Sequence, residues 1–364
     1  MTSTDKDRFQ KEKAIRYCLA NGFIPYLEVK VGNIKELSTA QTDLTDIDVL
    51  GIEVERHGRV RRVIFDCKTL KTSPINRAFW AAGLMKYISS NEAFVILTQK
   101  ATHAHQISAD AIGVHLFSED LFDGFAKASS IEYLNKASYA SNINNWHQYY
   151  TYFGTHKQFQ ELGNYINCQV PLANEYSKAL RGVIAKMKLV KGEINPSKNQ
   201  HMSIYASAVL SLCYILSPLA SQLSKVSDPS GTKENFEEIL RYYIWEGKDN
   251  YALRKGIHEL ATAKSEQDPG EFELANWQEF VELVRLILDA PTHISLCCIP
   301  LREISLRYLC DVNELADQVI AQRITASSRV RQFIFRASSY LVTAVGLPKD
   351  CDLSLREVIN EIAN

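Results

Sequence analysis

Residues 45–71, TDIDVLGIEVERHGRVRRVIFDCKTLK, decide the fold of the N-terminal part of this chain. The apolar run at 47–54 reads as a strand, and 59–69 reads as a second one. His57-Gly58 between them marks a hairpin turn. An Asp opens the first strand at Asp48, and the second ends in Asp66-Cys67-Lys68. Side chains two apart on a strand share a face, so Asp66 and Lys68 point the same way, and Asp48 on the hairpin partner reaches the same spot. They follow Val63-Ile64-Phe65, an apolar run that belongs in a core.

Two carboxylates placed together at the edge of a core repel each other unless something cationic pairs them. A hard divalent ion does so, and Mg²⁺ commonly takes one or two carboxylates together with waters and phosphate oxygens. A lysine beside it orients or deprotonates a water, or stabilises charge on a phosphate. A surface salt bridge uses the same residue types. The order of elements is what raises the triplet above that reading: apolar strand with Asp, hairpin, apolar strand ending in D-x-K, then a helix.

Outward from this stretch, residues 8–21 read as a helix with Phe9, Ala14, Ile15 and Leu19 near one face, stopped by Asn21-Gly22. Residues 23–31 read as a strand, and 33–45 as a loop. After the hairpin come a helix at 76–89, a buried strand at 93–98, a helix at 104–112 and a short strand at 114–117. The order is α-β-β-β-α-β-α-β, an α/β domain over residues 1–128. Residues 129–364 have helical periodicity, with breaks at 193–196, 227–231, 267–270 and 346–348, and are expected to form an all-α domain.

The stretch from Asp48 to Lys68 resembles the core of the PD-(D/E)xK nuclease superfamily, closest to its Mrr-like and Holliday-junction-resolvase-like branch. The resemblance covers residues 8–125. It implies a restriction-endonuclease-like fold, a central mixed sheet flanked by helices, and a metal-dependent nuclease acting on DNA. Asp48, within IDVLG, matches the first motif's Asp, and Asp66 and Lys68 match the (D/E)xK motif as FDCK. By that match Asp48, Asp66 and the backbone carbonyl of Cys67 hold Mg²⁺ (or Mn²⁺), and Lys68 serves the attacking water. Many members add a Glu on the first helix. Glu12 is the match, and Glu28 on the next strand is the second candidate. A QLxxY motif follows the lysine in some relatives; here Leu84 and Tyr87 match and Gly83 stands in place of the Gln. The resemblance also implies a setting in restriction or anti-phage defence.

Around this site Arg59, Arg61, Arg62, Lys71 and Arg77 are candidates for holding nucleic-acid phosphates. A charge-protected edge strand is the competing reading of the same residues. The chain as a whole is balanced, at net charge −1, which excludes a binder that works by bulk attraction to nucleic acid. DNA binding then calls for the helical domain, a homodimer or a protein partner. An alternative follows, a partner-gated subunit of a defence or repair complex whose nuclease domain is latent alone. There is no G-x-x-x-x-G-K-[ST] loop, so no nucleotide cofactor is expected.

The eight cysteines form no C-x-x-C pair, and the first residues carry no apolar signal core. Reduced thiols in a cytoplasmic protein are expected. Residues 202–224 contain no Asp, Glu, Lys or Arg, but Ser203, Ser207 and Ser211 stripe the segment and Pro218 interrupts it. A buried core helix is expected there rather than a membrane span.

Overall fold

The computed structural model describes residues 7–33, 42–69, 72–227, 232–264 and 272–363. Lys71, one of the candidate phosphate contacts, lies outside the described residues.

The 59–69 run becomes a strand buried along most of its length and paired on both sides. Strands β1 (Ile24–Gly32), β2 (Asp43–Val54), β3 (Val60–Lys68), β4 (Glu92–Leu97) and β5 (Val114–Ser118) form one sheet in that order. The first three are antiparallel, and β3, β4 and β5 are parallel. The β2–β3 hairpin closes with Glu55 N donating to Arg59 O at 2.9 Å and Gly58 N to Glu55 O at 2.8 Å. Gly58 has φ +77°, a conformation that side chains disfavour.

Parallel neighbours need a crossover, and helices supply it. α2 (Pro74–Ile88) joins β3 to β4, and α3 (His103–Asp110) joins β4 to β5. Pro74 starts α2, where its fixed φ and missing N–H do no harm. Thr102 caps α3 by accepting from His105 N. α1 (Arg8–Ala20) precedes the sheet and α4 (Glu119–Ser129) follows it. The expected element order is found, with α4 added, and the expected division at 128 falls in the last turn of α4.

α1 and α4 cover one face through an aromatic cluster: Tyr17 lies 5.7 Å from Phe65, 5.6 Å from Phe94 and 5.7 Å from Phe122, ring centre to ring centre. Of the expected face of α1, Ala14, Ile15 and Leu19 are buried and Phe9 is not. Phe9 is 72% exposed, while Gln10 and Lys11 are buried with Ala14, Ile15 and Cys18. The physical reason is that Gln10 and Lys11 have polar partners at the edge of the sheet, described below.

The second half of the chain is largely helical. The helix Asn199–Leu223 is long and apolar enough to cross a membrane, and its most apolar window is wholly buried inside the protein. It packs against the helices Cys298–Arg307 and Tyr176–Val190. Pro218 lies inside the helix, which runs on to Leu223, and Ser217 Oγ donates to Cys213 O at 2.9 Å one residue before it. All eight cysteines are free thiols.

One hydrophobic core runs through both halves. Arg302, 1% exposed, sits with its guanidinium 4.6 Å from the ring centre of Tyr26 on β1 and 5.0 Å from that of Trp146 on the helix Ile143–Thr155. The tip of the β2–β3 hairpin rests on the end of the long helix. Lys225 Nζ donates to His57 O at 2.7 Å, and a Cβ at Gly58 would collide with Ser221.

Candidate functional site

β2 and β3 stop pairing where the acidic residues begin. The last partners are Val49 and Phe65, and Asp48 and Asp66 follow directly beyond them. In place of a ladder bond, the amide of Cys67 donates to Asp48 Oδ2 at 2.7 Å. Lys68 Nζ lies 2.9 Å from Asp48 Oδ2 and 3.3 Å from Asp66 Oδ1. The three residues expected to converge therefore do converge, with Asp48 and Asp66 both buried.

Burial pushes the Asp48 carboxyl up to about 6, against the pull of Lys68; the Asp66 charge adds to the rise and the Cys67 amide opposes it. Burial works against the Lys68 charge, but the carboxylates of Asp66 and Asp48 outweigh it and hold its ammonium above the ordinary lysine value.

Neither glutamate candidate joins the trio. Glu12 Oε1 accepts from Arg8 Nε at 2.9 Å, one turn back on α1. Glu28 stands opposite Asp48 in register, between the pairs Leu27–Val49 and Val29–Ile47. A regular strand would put both on one face. Glu28 has φ +50°, and its Oε1 is engaged by Lys11 Nζ at 3.0 Å.

What α1 brings to the site is a different set. Asp7 Oδ1 accepts from Thr69 N at 2.7 Å and from Thr69 Oγ1 at 2.6 Å. Gln10 Nε2 donates to Lys68 O at 3.3 Å and to Glu119 Oε1 at 3.1 Å. Positions 7, 10 and 11 lie on one side of a helix, and Glu12 is turned about 100° from Lys11. The signal that finds this set is the pairing of polar Gln10 and Lys11 with Ala14 at i, i+3 and i+4 spacing, which a search for a helical Glu passes over.

The basic candidates are mostly committed elsewhere. Arg62 is buried, and its guanidinium donates to Pro171 O at 2.9 Å, Ala173 O at 2.5 Å and Asn174 Oδ1 at 2.9 Å. It joins the sheet to the helical half instead of facing solvent, so the expectation of a phosphate contact there is corrected. Arg61 lies 2.6 Å from Glu92 and 3.7 Å from Glu53. Arg77 forms two bonds to Asp66. Arg59 alone of the four described candidates is exposed, on the hairpin turn.

The basic stretches further along are largely paired as well, Lys186 with Glu161, Arg181 with Glu246 and Arg323 with Glu132. Of the aromatic run at 146–153, Trp146, Tyr149 and Phe153 are buried in the core.

Among the described residues there is no group of three or more His, Cys, Asp or Glu side chains placed to hold a metal ion. Two carboxylates remain as oxygen donors, a set that fits a hard ion completing its shell with water and phosphate but not a soft or tightly caged one. Comparison of the chain with protein-family models, with curated proteins and with solved structures finds no match.

Proposed function

We propose that this chain is an Mg²⁺-dependent nuclease hydrolysing DNA phosphodiester bonds, an endonuclease of the restriction-endonuclease-like PD-(D/E)xK kind, working in restriction or anti-phage defence. The observation that carries the reading is the convergence of Asp48, Asp66 and Lys68 where β2 and β3 part. Buried carboxylates facing each other are costly to keep, and a fold retains them where they have a charge to hold.

In this reading Asp48 and Asp66 hold the divalent ion, with the Cys67 carbonyl beside them. A bound ion supplies Lewis-acid stabilisation of phosphate charge and lowers the pKa of a water. Lys68 keeps its proton, since the carboxylates raise its pKa. Its part is therefore to orient the attacking water and stabilise charge on the phosphate rather than to take a proton. The Cys67 amide fixes the Asp48 carboxylate, and Gln10 and Asp7 fix the end of β3, so the donor set is held before substrate arrives.

The test incubates supercoiled, linear and single-stranded DNA, and RNA, with the full chain and Mg²⁺ or Mn²⁺. EDTA and Lys68→Ala run alongside. Metal-dependent cutting lost in Lys68→Ala is expected. Metal-dependent cutting that survives in Lys68→Ala and in Asp66→Asn would place the activity elsewhere.

A second reading has one observation in its favour. The helix Lys248–Lys264 exposes Leu253, Ile257 and Leu260 on one side, at 64%, 58% and 62%. Such a stripe suits a partner-gated subunit, in which the nuclease site stays silent until another protein covers it. Cleavage that appears only on adding a partner, and is lost in Ile257→Glu, would favour this reading.

A further inference from the structure

The site as described leaves Arg77 without a role. It stands in the first turns of α2 and donates to both carboxylate oxygens of Asp66, through Nε to Oδ2 and through Nη2 to Oδ1 at 2.6 Å. The plane of its guanidinium is held over Trp80, 3.6 Å from the ring centre. Lys68 adds a third contact to Oδ1. A carboxylate has about four acceptor positions, so three are already taken. The charges also balance: Asp48 and Asp66 are matched by Lys68 and Arg77. The pair of buried Asp66 and half-buried Arg77 offsets the cost of the carboxylate in the absence of an ion, and it occupies the oxygens a cation would need.

We propose that Arg77 is a placeholder cation. It holds the buried Asp66 carboxylate aligned while no divalent ion is present, and its fork leaves Asp66 when an ion takes that carboxylate. The Trp80 ring keeps the freed guanidinium at the site. Arg77 is thus a positioning residue that sets the metal threshold of the enzyme. The inference rests on reading Asp48 and Asp66 as a divalent-ion site.

The experiment uses the full chain. In ¹⁵N-labelled protein the Arg77 Nε–H resonance is identified by its loss in Arg77→Lys, and MgCl₂ is titrated in while Mn²⁺ affinity is measured separately by calorimetry. In the metal-free protein the resonance is expected to be protected from solvent exchange. That protection is lost on adding Mg²⁺, with a single midpoint. Mn²⁺ binding is expected to be about tenfold tighter in Arg77→Leu, and tighter than wild type in Arg77→Lys, which keeps the charge and lacks the fork. Arg77→Lys binding no tighter than wild type would reduce the effect to net charge and overturn the exchange. So would Mn²⁺ binding to wild type with the Nε–H resonance unmoved by Mg²⁺, a result that needs no folded variant. No binding by wild type or either variant would overturn the metal-centre reading itself, and this inference with it.

Discussion

The amide of Cys67 donates to Asp48 Oδ2 at 2.7 Å, so a side chain fastens β3 to β2 at the point where their backbone pairing ends. The consequence is geometric. The strands can splay to make room for Asp48 and Asp66 without losing register, and Lys68 Nζ bridges the two acids from the open side. A gap between two internal strands becomes a hydrogen-bonded donor set.

Asp48→Asn tests the electrostatic state of that set. The folded carboxyl is raised from 3.8 to about 6 by burial, so the fold favours its protonated form. The stability this brings is fully present below pH 3.8 and is lost as pH rises through about 6. Denaturant unfolding of both proteins from pH 4 to pH 7 should therefore show wild type losing about 2–3 kcal/mol relative to Asp48→Asn across that range. A constant difference would mean that Lys68 and the Cys67 amide fully offset the burial.

Glu12→Gln separates the helix α1 contacts from the expected acid. Among the described residues Glu12 pairs with Arg8 across one turn, an i,i+4 ion pair near the surface worth roughly 0–1 kcal/mol. Metal-dependent cleavage should change by less than about twofold, within the scatter of such a surface change. Asp7→Asn weakens the two bonds to Thr69 and should lower the same rate by more. The reverse order of effects would return Glu12 to the site.

Arg62→Met removes a buried guanidinium that bonds two carbonyls and an amide of the helical half. Its loss strands the carbonyls of Pro171 and Ala173, and should lower unfolding stability by about 3 kcal/mol. The measurement is the urea midpoint at unchanged slope. A shift under a tenth of this size would mean the two halves do not depend on this contact.

His115→Gln carries a pH signature. His115 is hydrogen-bonded to Glu92 and flanked by Asp110, and the Glu92 bond chiefly raises its pKa above 6.5 while burial opposes it. A raised histidine stabilises the fold below pH 6.5 and stops doing so as pH climbs through the folded value. The variant should therefore be less stable than wild type at pH 5.5 and equal to it at pH 9, by thermal unfolding. An equal deficit at both pH values would point to lost packing against Phe94 instead.

The sequence by itself determined the α/β order of the first third, the helical texture of the rest and the trio of Asp48, Asp66 and Lys68. Those are local readings. Alternation fixes which side chains share a strand face, a glycine marks the hairpin, and D-x-K spacing puts two functional groups side by side. The burial of the uncharged helix Asn199–Leu223 was legible for the same reason, since a run so apolar must leave water. Only the tertiary structure decided which arginines are free. Arg61, Arg62 and Arg77 look alike in the sequence, yet one meets Glu53 and Glu92, one meets the carbonyls of a distant turn, and one closes on Asp66. It also decided that α1 and its N-cap bring Asp7 and Gln10 to the end of β3 rather than Glu12, because their partners Thr69, Lys68 and Glu119 lie far along the chain. Charge partners come from segments far apart in the chain, and no local spacing records which of them the fold will bring together.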